Sequence, residues 1–352
     1  MKLALAWDDV QIVPKYSEIS SRDNVQLCAK FTEHFDIKLP FVAAPMDTVC
    51  AVDMAFALYQ AGGVGVIHRR MSIEQQVKEV QTLQTRIAEM PWDETLRNRE
   101  CPITAAIGAN GDAQERASAL LAAGVQVLVI DVAHGDHLYV KNLLTWLQTK
   151  KDYYTFDTVA GSIATAEAAV RLAEWGANAL RVGVGGGSVC ETRVRTGVGI
   201  PQLQAILDCV AAVRIPVIAD GGIRQPGDAA KALAAGAGTV MIGSLFAGTE
   251  ESPGQVFIDG QWPHTRRMNI YRGMASATAK LVDSDTATHV EGASKMIECR
   301  GPVRSMIEDI KDGVSSAMSY VGATNLSEFQ RNAKFIQITS AGAAEAHPHL
   351  LR

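Results

Sequence analysis

Short runs of apolar residues recur along the chain, each followed by a longer amphipathic stretch. Eight runs stand out: Phe41–Ala44, Val64–Ile67, Ile103–Ile107, Val127–Ile130, Thr158–Ala160, Ala179–Val182, Pro216–Ala219 and Thr239–Ile242. They are rich in valine, isoleucine and alanine and do not alternate with polar residues. Such runs suit strands buried on both faces of a parallel sheet. The stretches between them carry helical spacing. Residues 113–123 place apolar side chains on one face and stop at Gly124, residues 165–175 run from Thr165 to Gly176, and residues 228–235 run from Asp228 to Gly236. Each has a capping residue in front and a glycine behind, the start and stop signals of a helix. Eight repeating strand–helix units predict an α/β chain folded as one (β/α)8 TIM barrel, with residues 1–352 in a single domain. A doubly wound sheet is the alternative, and it usually has fewer strands.

Two segments interrupt the repeat. Residues 82–101 read as a polar connection containing Pro91 and Trp92, too short to hold an inserted domain. Residues 276–300 are small, polar and aperiodic, and long irregular segments of this kind are often lids. After them the chain predicts one more helix from Val303 and a strand-like run at Phe335–Thr339.

Composition narrows the function classes. The 352 residues are 47% hydrophobic and 20% charged, ordinary for a globular protein, and the net charge of −5 offers no global field for nucleic acid. No apolar run reaches the roughly 18 residues that span a bilayer. The start, MKLALAWDDV, reads poorly as a signal peptide because two aspartates follow its short apolar stretch at once. Cys28, Cys50, Cys101, Cys190, Cys209 and Cys299 are scattered without a CxxC pair. That spacing predicts reduced thiols in a cytoplasm, no disulfide framework and no structural zinc.

In a barrel, the loops after the strands form the active face. The loop after the sixth run, Gly183–Arg193, sets Cys190 just past a run of glycines, where a thiol is accessible and can act as a nucleophile. Arg193 would favour its thiolate and Glu191 would oppose it. The loops after the seventh and eighth runs, Asp220–Ile223 and Gly243–Gly248, are glycine-rich, as in barrels that bind phosphate there with backbone amides and a helix N-terminus. Asp220 is placed either to accept from a ribose diol or to serve a cap or ion pair. Asp131 and His134, after the fourth run, are too few to hold a metal and read as a cofactor contact.

Seven segments then fall in one order: Trp7-Asp8-Asp9-Val10, Ala44–Val49, the cysteine loop, Thr196–Gln202, Asp220–Ile223, Tyr271-Arg272-Gly273-Met274 and Ile338–Gly342. Together they resemble the inosine monophosphate dehydrogenase / guanosine monophosphate reductase family over nearly the whole chain. The resemblance implies a purine mononucleotide, GMP or IMP, held by its phosphate at Ser188, Gly222, Gly243, Ser244 and Tyr271. It implies that Asp220 holds the ribose, that the backbone at Gly273 and Met274 holds the base, and that Cys190 attacks carbon 2 of the purine. Asp131 would lie toward the nicotinamide ribose. The carbonyls of Gly185, Gly187 and Cys190 match a monovalent-cation loop for potassium. Relatives of this kind are typically cytoplasmic homotetramers.

The same resemblance weighs two reactions. The dehydrogenase hydrolyses its covalent intermediate with an Arg-Tyr pair on a mobile flap, and the corresponding residues 280–292 contain neither residue. The reductase expels ammonia with a threonine two residues after the cysteine and a glutamate before a flap glycine, which Thr192 and Glu291 match. The short 82–101 link excludes the regulatory two-repeat CBS domain that most dehydrogenases insert. Arg69 and Arg70 either pair with the extra phosphate of NADPH or form a surface basic pair. The tail Ile338–His349 resembles the dehydrogenases, many of which also carry the threonine and the glutamate. Gly186, Glu191 and Ser162 stand where the family usually has proline, threonine and asparagine. The expectation is NADPH-dependent reductive deamination of GMP to IMP and ammonia. The alternatives are oxidation of IMP with NAD and a nucleotide-binding barrel without turnover.

Overall fold

The computed structural model describes residues 3–91, 101–261, 264–281 and 289–346, and the eight apolar runs are the strands of a closed barrel. In chain order these are β1 (Phe41–Ala43), β2 (Val64–Ile67), β3 (Thr104–Ile107), β4 (Val127–Ile130), β5 (Asp157–Ile163), β6 (Ala179–Val182), β7 (Val217–Asp220) and β8 (Thr239–Ile242). Every strand pairs in parallel with its sequence neighbours, and β8 closes on β1. The continuous apolar pattern arises because each strand feeds two cores. Val42, Val64, Val66, Val129 and Ile218 point into the barrel, while Phe41, Ile67, Ile107, Leu128 and Leu180 pack outward against the helices. Branched, medium-sized side chains fill a barrel interior in layers, so it is a packed core rather than a pore.

Helix signals were legible with one shift of register. The helices Ala113–Ala122 and Ala166–Glu174 fall as the caps predict, and the Thr165 hydroxyl accepts the Ala168 N–H at 3.2 Å. Gly124, Gly176 and Gly236 all take left-handed φ, between +90° and +103°, which glycine tolerates without strain. The third helix begins at Pro226 with Gln225 before it, not at Asp228. Asp228 is buried in the first turn, where it accepts the Arg224 N–H at 3.0 Å. Proline suits the first turn of a helix because its missing N–H is not needed there.

Two further expectations change. Residues 82–88 belong to the helix Ile73–Ala88, which opens with a reciprocal Ser72–Gln75 capping box and buries Val80 and Leu83. The rest of that connection from residue 92 to 100 lies outside the described residues. The 276–300 segment is not irregular throughout. It holds a short helix, Ala277–Lys280, and a strand, Ser294–Glu298, antiparallel to Arg266–Arg272. With Phe257–Asp259 these make a three-stranded sheet above the barrel mouth. The strand escaped the sequence reading because it is mostly exposed, so no hydrophobic alternation marks it. Near the termini, Val10–Ile12 pairs antiparallel with Phe335–Gln337, and the helix Val303–Tyr320 packs on the helix of Pro226.

Candidate active site

The C-terminal ends of the strands surround a cavity of about 380 Å³ lined by Asp131, Arg181, Cys190, Thr192, Asp220 and Glu291, among others. Glycines shape the cysteine loop. Gly183 and Gly185 take φ of 154° and 73°, and a Cβ on Gly183 would sit 1.8 Å from the Asp220 carbonyl oxygen. β6 and β7 can therefore approach this closely only through a glycine.

Cys190 is exposed at the mouth. Its thiol donates to the Thr192 hydroxyl at 3.3 Å, and that hydroxyl donates to the Glu291 carboxylate at 2.8 Å. Glu291 is fixed from the backbone. Its N–H donates to Ala275, its carbonyl accepts the Glu191 N–H at 2.8 Å, and Ala293 N–H donates to the Val189 carbonyl at 2.8 Å. Two residues of one loop and a third 99 positions further on thus form one hydrogen-bonded line from thiol to carboxylate.

Arg193 carries its charge close enough to Cys190 to attract the thiolate, as expected, although its hydrogen bonds go elsewhere. The Arg193 guanidinium donates to the carbonyls of Val184 and Ile200, so its hydrogen bonds hold the loop rather than the sulfur. Glu191, half-buried, precedes the short helix Thr192–Thr196 and pairs with the exposed Arg195 at 3.0 Å.

The glycine loops after β7 and β8 stand beside this line. Gly221 packs on the cysteine loop, where a Cβ would come 3.1 Å from the Gly186 carbonyl carbon, and Gly222 takes φ of 76°. Tyr271 is buried, and its hydroxyl lies 3.1 Å from that of Ser188. A Cβ on Gly243 would meet the Tyr271 hydroxyl at 3.2 Å. Ser188, Gly243 and Tyr271 therefore meet, while Gly222 packs beside Trp7 and Gly186 and the Ser244 hydroxyl lies 3.5 Å from the Ile223 carbonyl; of the five, Tyr271 alone lines the cavity among the described residues. After β8 the chain makes turns, with Ala247 N–H bonded to the Gly243 carbonyl, rather than opening a helix. Gly273 and Met274 line the cavity opposite.

Arg69 and Arg70 line the cavity too, which removes the surface-pair reading. Arg70 donates to the Met274 carbonyl at 2.8 Å, and Arg69 faces Asp131 at 3.7 Å. The sequence reading missed Arg181. It is buried in β6, 2.7 Å from Asp131 and 3.2 Å from Asp220, and it also donates to Ser162. Its signal was present: a lone arginine inside an apolar strand must have a buried partner. Burial pushes the Asp131 carboxyl up, but Arg181, Arg69 and Arg70 outweigh it and hold it below the ordinary carboxylate value. Burial raises Asp220 and Asp131 adds to this, with Arg181 opposing. His134 is exposed and does not line the cavity. Among the described residues no group of three or more His, Cys, Asp or Glu could hold a metal ion.

An accessible thiol hydrogen-bonded through a hydroxyl to a carboxylate, beside glycine loops at the mouth of a barrel, is an arrangement of the kind enzymes use for a nucleophile. The IMP dehydrogenase / GMP reductase domain matches residues 4–349, so the chain belongs to that family, whose members are oxidoreductases acting on purine mononucleotides with pyridine dinucleotides. Similar relatives include the inosine-5'-monophosphate dehydrogenases of Borreliella burgdorferi, 36% identical over 99% of this chain and 97% of that protein, and Nitrosopumilus maritimus, 32% identical over 99% and 98%. Among solved structures, a cysteine-to-alanine variant of GMP reductase from Trypanosoma brucei, crystallised with guanosine 5'-monophosphate, superposes with a TM-score of 0.88. It is 29% identical, with 99% of this chain and 98% of that one covered.

Proposed function

We propose that the protein is a GMP reductase that converts guanosine monophosphate to inosine monophosphate and ammonia with NADPH. The Cys190–Thr192–Glu291 line supports the covalent chemistry, and the observation that carries the choice of reductase is that residues 280–292 hold neither arginine nor tyrosine. Cys190 adds through sulfur to carbon 2 of the purine while its proton passes through Thr192 to Glu291. Glu291 then delivers that proton to the 2-amino group, which leaves as ammonia, because an amine departs far more readily once protonated. A C–S bond has formed and the C–N bond has broken, with no change in oxidation state. The reduced dinucleotide supplies the hydride that makes the product. Cys190 finally leaves carbon 2 as thiolate and is reprotonated from solvent.

The remaining residues bind. Ser188, Gly222, Gly243, Ser244 and Tyr271 cradle the phosphate, Asp220 accepts from the ribose diol, and the backbone at Gly273 and Met274 meets the base. Asp131 takes the nicotinamide ribose; a buried carboxylate kept ionised by guanidiniums suits that diol. Arg69, whose buried Nε makes no hydrogen bond, is the cation available to a dinucleotide phosphate, whereas Arg70 is engaged at Met274. No described residue donates to the carbonyls of Gly185 and Cys190, and that of Gly187 accepts only the Cys190 N–H. These oxygens fit a potassium ion, a hard cation that prefers such donors. The reading includes a homotetramer in the cytoplasm, and Val194 and Val198, exposed beside the site, suit a subunit contact.

The names of the relatives favour a second reading, oxidation of IMP with NAD. Residues 280–292 count against it, since they hold neither arginine nor tyrosine to activate water. Purified protein is given GMP with NADPH and, separately, IMP with NAD, and absorbance of the reduced cofactor is followed. Signal in the first assay alone supports the reductase. Signal in the second alone sinks it, and binding without either signal favours a barrel without turnover.

A further inference from the structure

One guanidinium serves two cavity carboxylates. Arg181 stands in β6, which pairs with β5 and β7; Asp131 follows β4, one strand further round, and Asp220 ends β7. Its Nη1 is 2.7 Å from Asp131 and its Nε 3.2 Å from Asp220. Ser162, on the bulged end of β5, fixes the plane of the group by accepting from Nε at 3.0 Å and Nη2 at 2.7 Å. The arginine is 6% exposed, so water screens these contacts little.

The two carboxylates are not equally protected. Asp131 also faces Arg69, at 3.7 Å, with Arg70 close by. Asp220 has Arg181 as its one ion pair among the described residues, and its other ionisable neighbours are Asp131 and Tyr271, which offer no positive charge. A nearby like charge and burial both disfavour ionisation, so without the shared cation the less protected carboxylate, Asp220, is the one that shifts toward its acid form.

We propose that Arg181 is a positioning residue that lets Asp131 and Asp220 act as carboxylate acceptors at the same time, so that the sugar diols of two ligands are held together rather than in competition. The assignment of a diol to each carboxylate rests on the proposed function; the charge sharing does not. With Arg181 gone, nothing among the described residues opposes burial and the charge of Asp131 at Asp220, so its carboxyl moves further toward the protonated form. The acid accepts less well from a diol, so nucleotide affinity falls as pH falls. A dinucleotide that needs Asp131 ionised then opposes the nucleotide.

The test uses Arg181→Met and Arg181→Lys in the full chain. GMP is titrated by calorimetry at about pH 6 and about pH 8, with and without NADP+, the oxidised form that prevents turnover. In the unaltered protein GMP affinity changes less than about threefold across these conditions. In Arg181→Met it falls about tenfold or more at the lower pH, one pKa unit being tenfold, and NADP+ weakens it further. Arg181→Lys restores the flat profile, because it returns the charge without the fork. A purely structural arginine would lower affinity equally at both pH values, and that result overturns the proposal. A ligand-free arm keeps the two readings apart. Infrared difference spectra of Arg181→Met show a carboxylic-acid C=O band at neutral pH that disappears in Arg181→Met/Asp220→Asn. Absence of the band overturns the proposal whatever binds, whereas failure of GMP and IMP to bind the unaltered protein, with the band present, overturns only the purine reading.

Discussion

The floor and the mouth of the barrel both bury aspartates, and they treat them in opposite ways. At the floor, Asp157 opens β5 and accepts from the Thr32 hydroxyl at 2.5 Å, the His34 N–H at 3.2 Å and the His34 ring at 2.8 Å. All three donors come from the hairpin that closes the barrel below, so this carboxylate is satisfied by its own fold. At the mouth, Asp131 and Asp220 share one arginine and line an open cavity. Buried polar atoms without partners occur at both ends, Arg69 Nε, Asp47 Oδ1 and Gln202 Oε1 at the mouth and Thr158 Oγ1 and Thr239 Oγ1 at the floor, so the contrast lies in the carboxylates. A carboxylate fully satisfied by its own fold is structural, whereas two that share one cation beside an open cavity are left able to accept from a ligand.

Mutations can break that contrast, and the largest effect belongs to the mouth. Cys190→Ala should lower turnover by about four orders of magnitude or more while nucleotide still binds. Steady-state rates paired with calorimetry check this, and retained turnover would refute covalent catalysis. Glu291→Gln should lower kcat by about 10²–10⁴-fold, the range of a lost proton carrier, with a much smaller change in nucleotide Kd. An equal loss of both would remove its role in carrying the proton.

Stability gives the smaller effects. His68, just behind Arg69, is buried, and burial lowers its pKa to about 4 despite the opposing charge of Asp47. Its Nδ1 accepts the Arg70 N–H at 3.1 Å, which needs a neutral ring. The unfolded chain takes up this proton near pH 6.5 and the folded one only near 4. The stability from the neutral ring is complete above the unfolded value and is lost as pH falls between the two, by about 3 kcal/mol. Denaturation midpoints of His68→Asn should show a shallower acid slope than those of the unaltered protein; parallel slopes would refute the assignment. Asp157→Ala at the floor should cost about 1–3 kcal/mol through its stranded donors and leave kcat unchanged. A fall in kcat at unchanged Tm would mean that the floor is not merely structural.

Much of the fold was legible because barrel strands are local. Each apolar run needed only its own residues to be recognised, and all eight became barrel strands. The strand Ser294–Glu298 was not legible, since its partner and not its side-chain pattern makes it a strand. Cys190 and Thr192 could be singled out on one loop, but their link to Glu291, 99 residues from Thr192, exists only after Ala275, Glu191 and Val189 have bonded to the backbone of residues 291–293. Arg181 was visible as a charge in an apolar run, yet its partners come from β4, β5 and β7. Glu191, unexpected beside a nucleophile, proves to be half-buried and paired with Arg195.

The sequence alone determined the barrel, the glycine loops at its mouth and the thiol on one of them, because periodicity, capping and backbone freedom act within a few residues. The tertiary structure decided which carboxylate the thiol reaches and which cation two aspartates must share. Hydrogen bonds and ion pairs act over a few ångströms, and only closure of the barrel brings residues a hundred positions apart within that range.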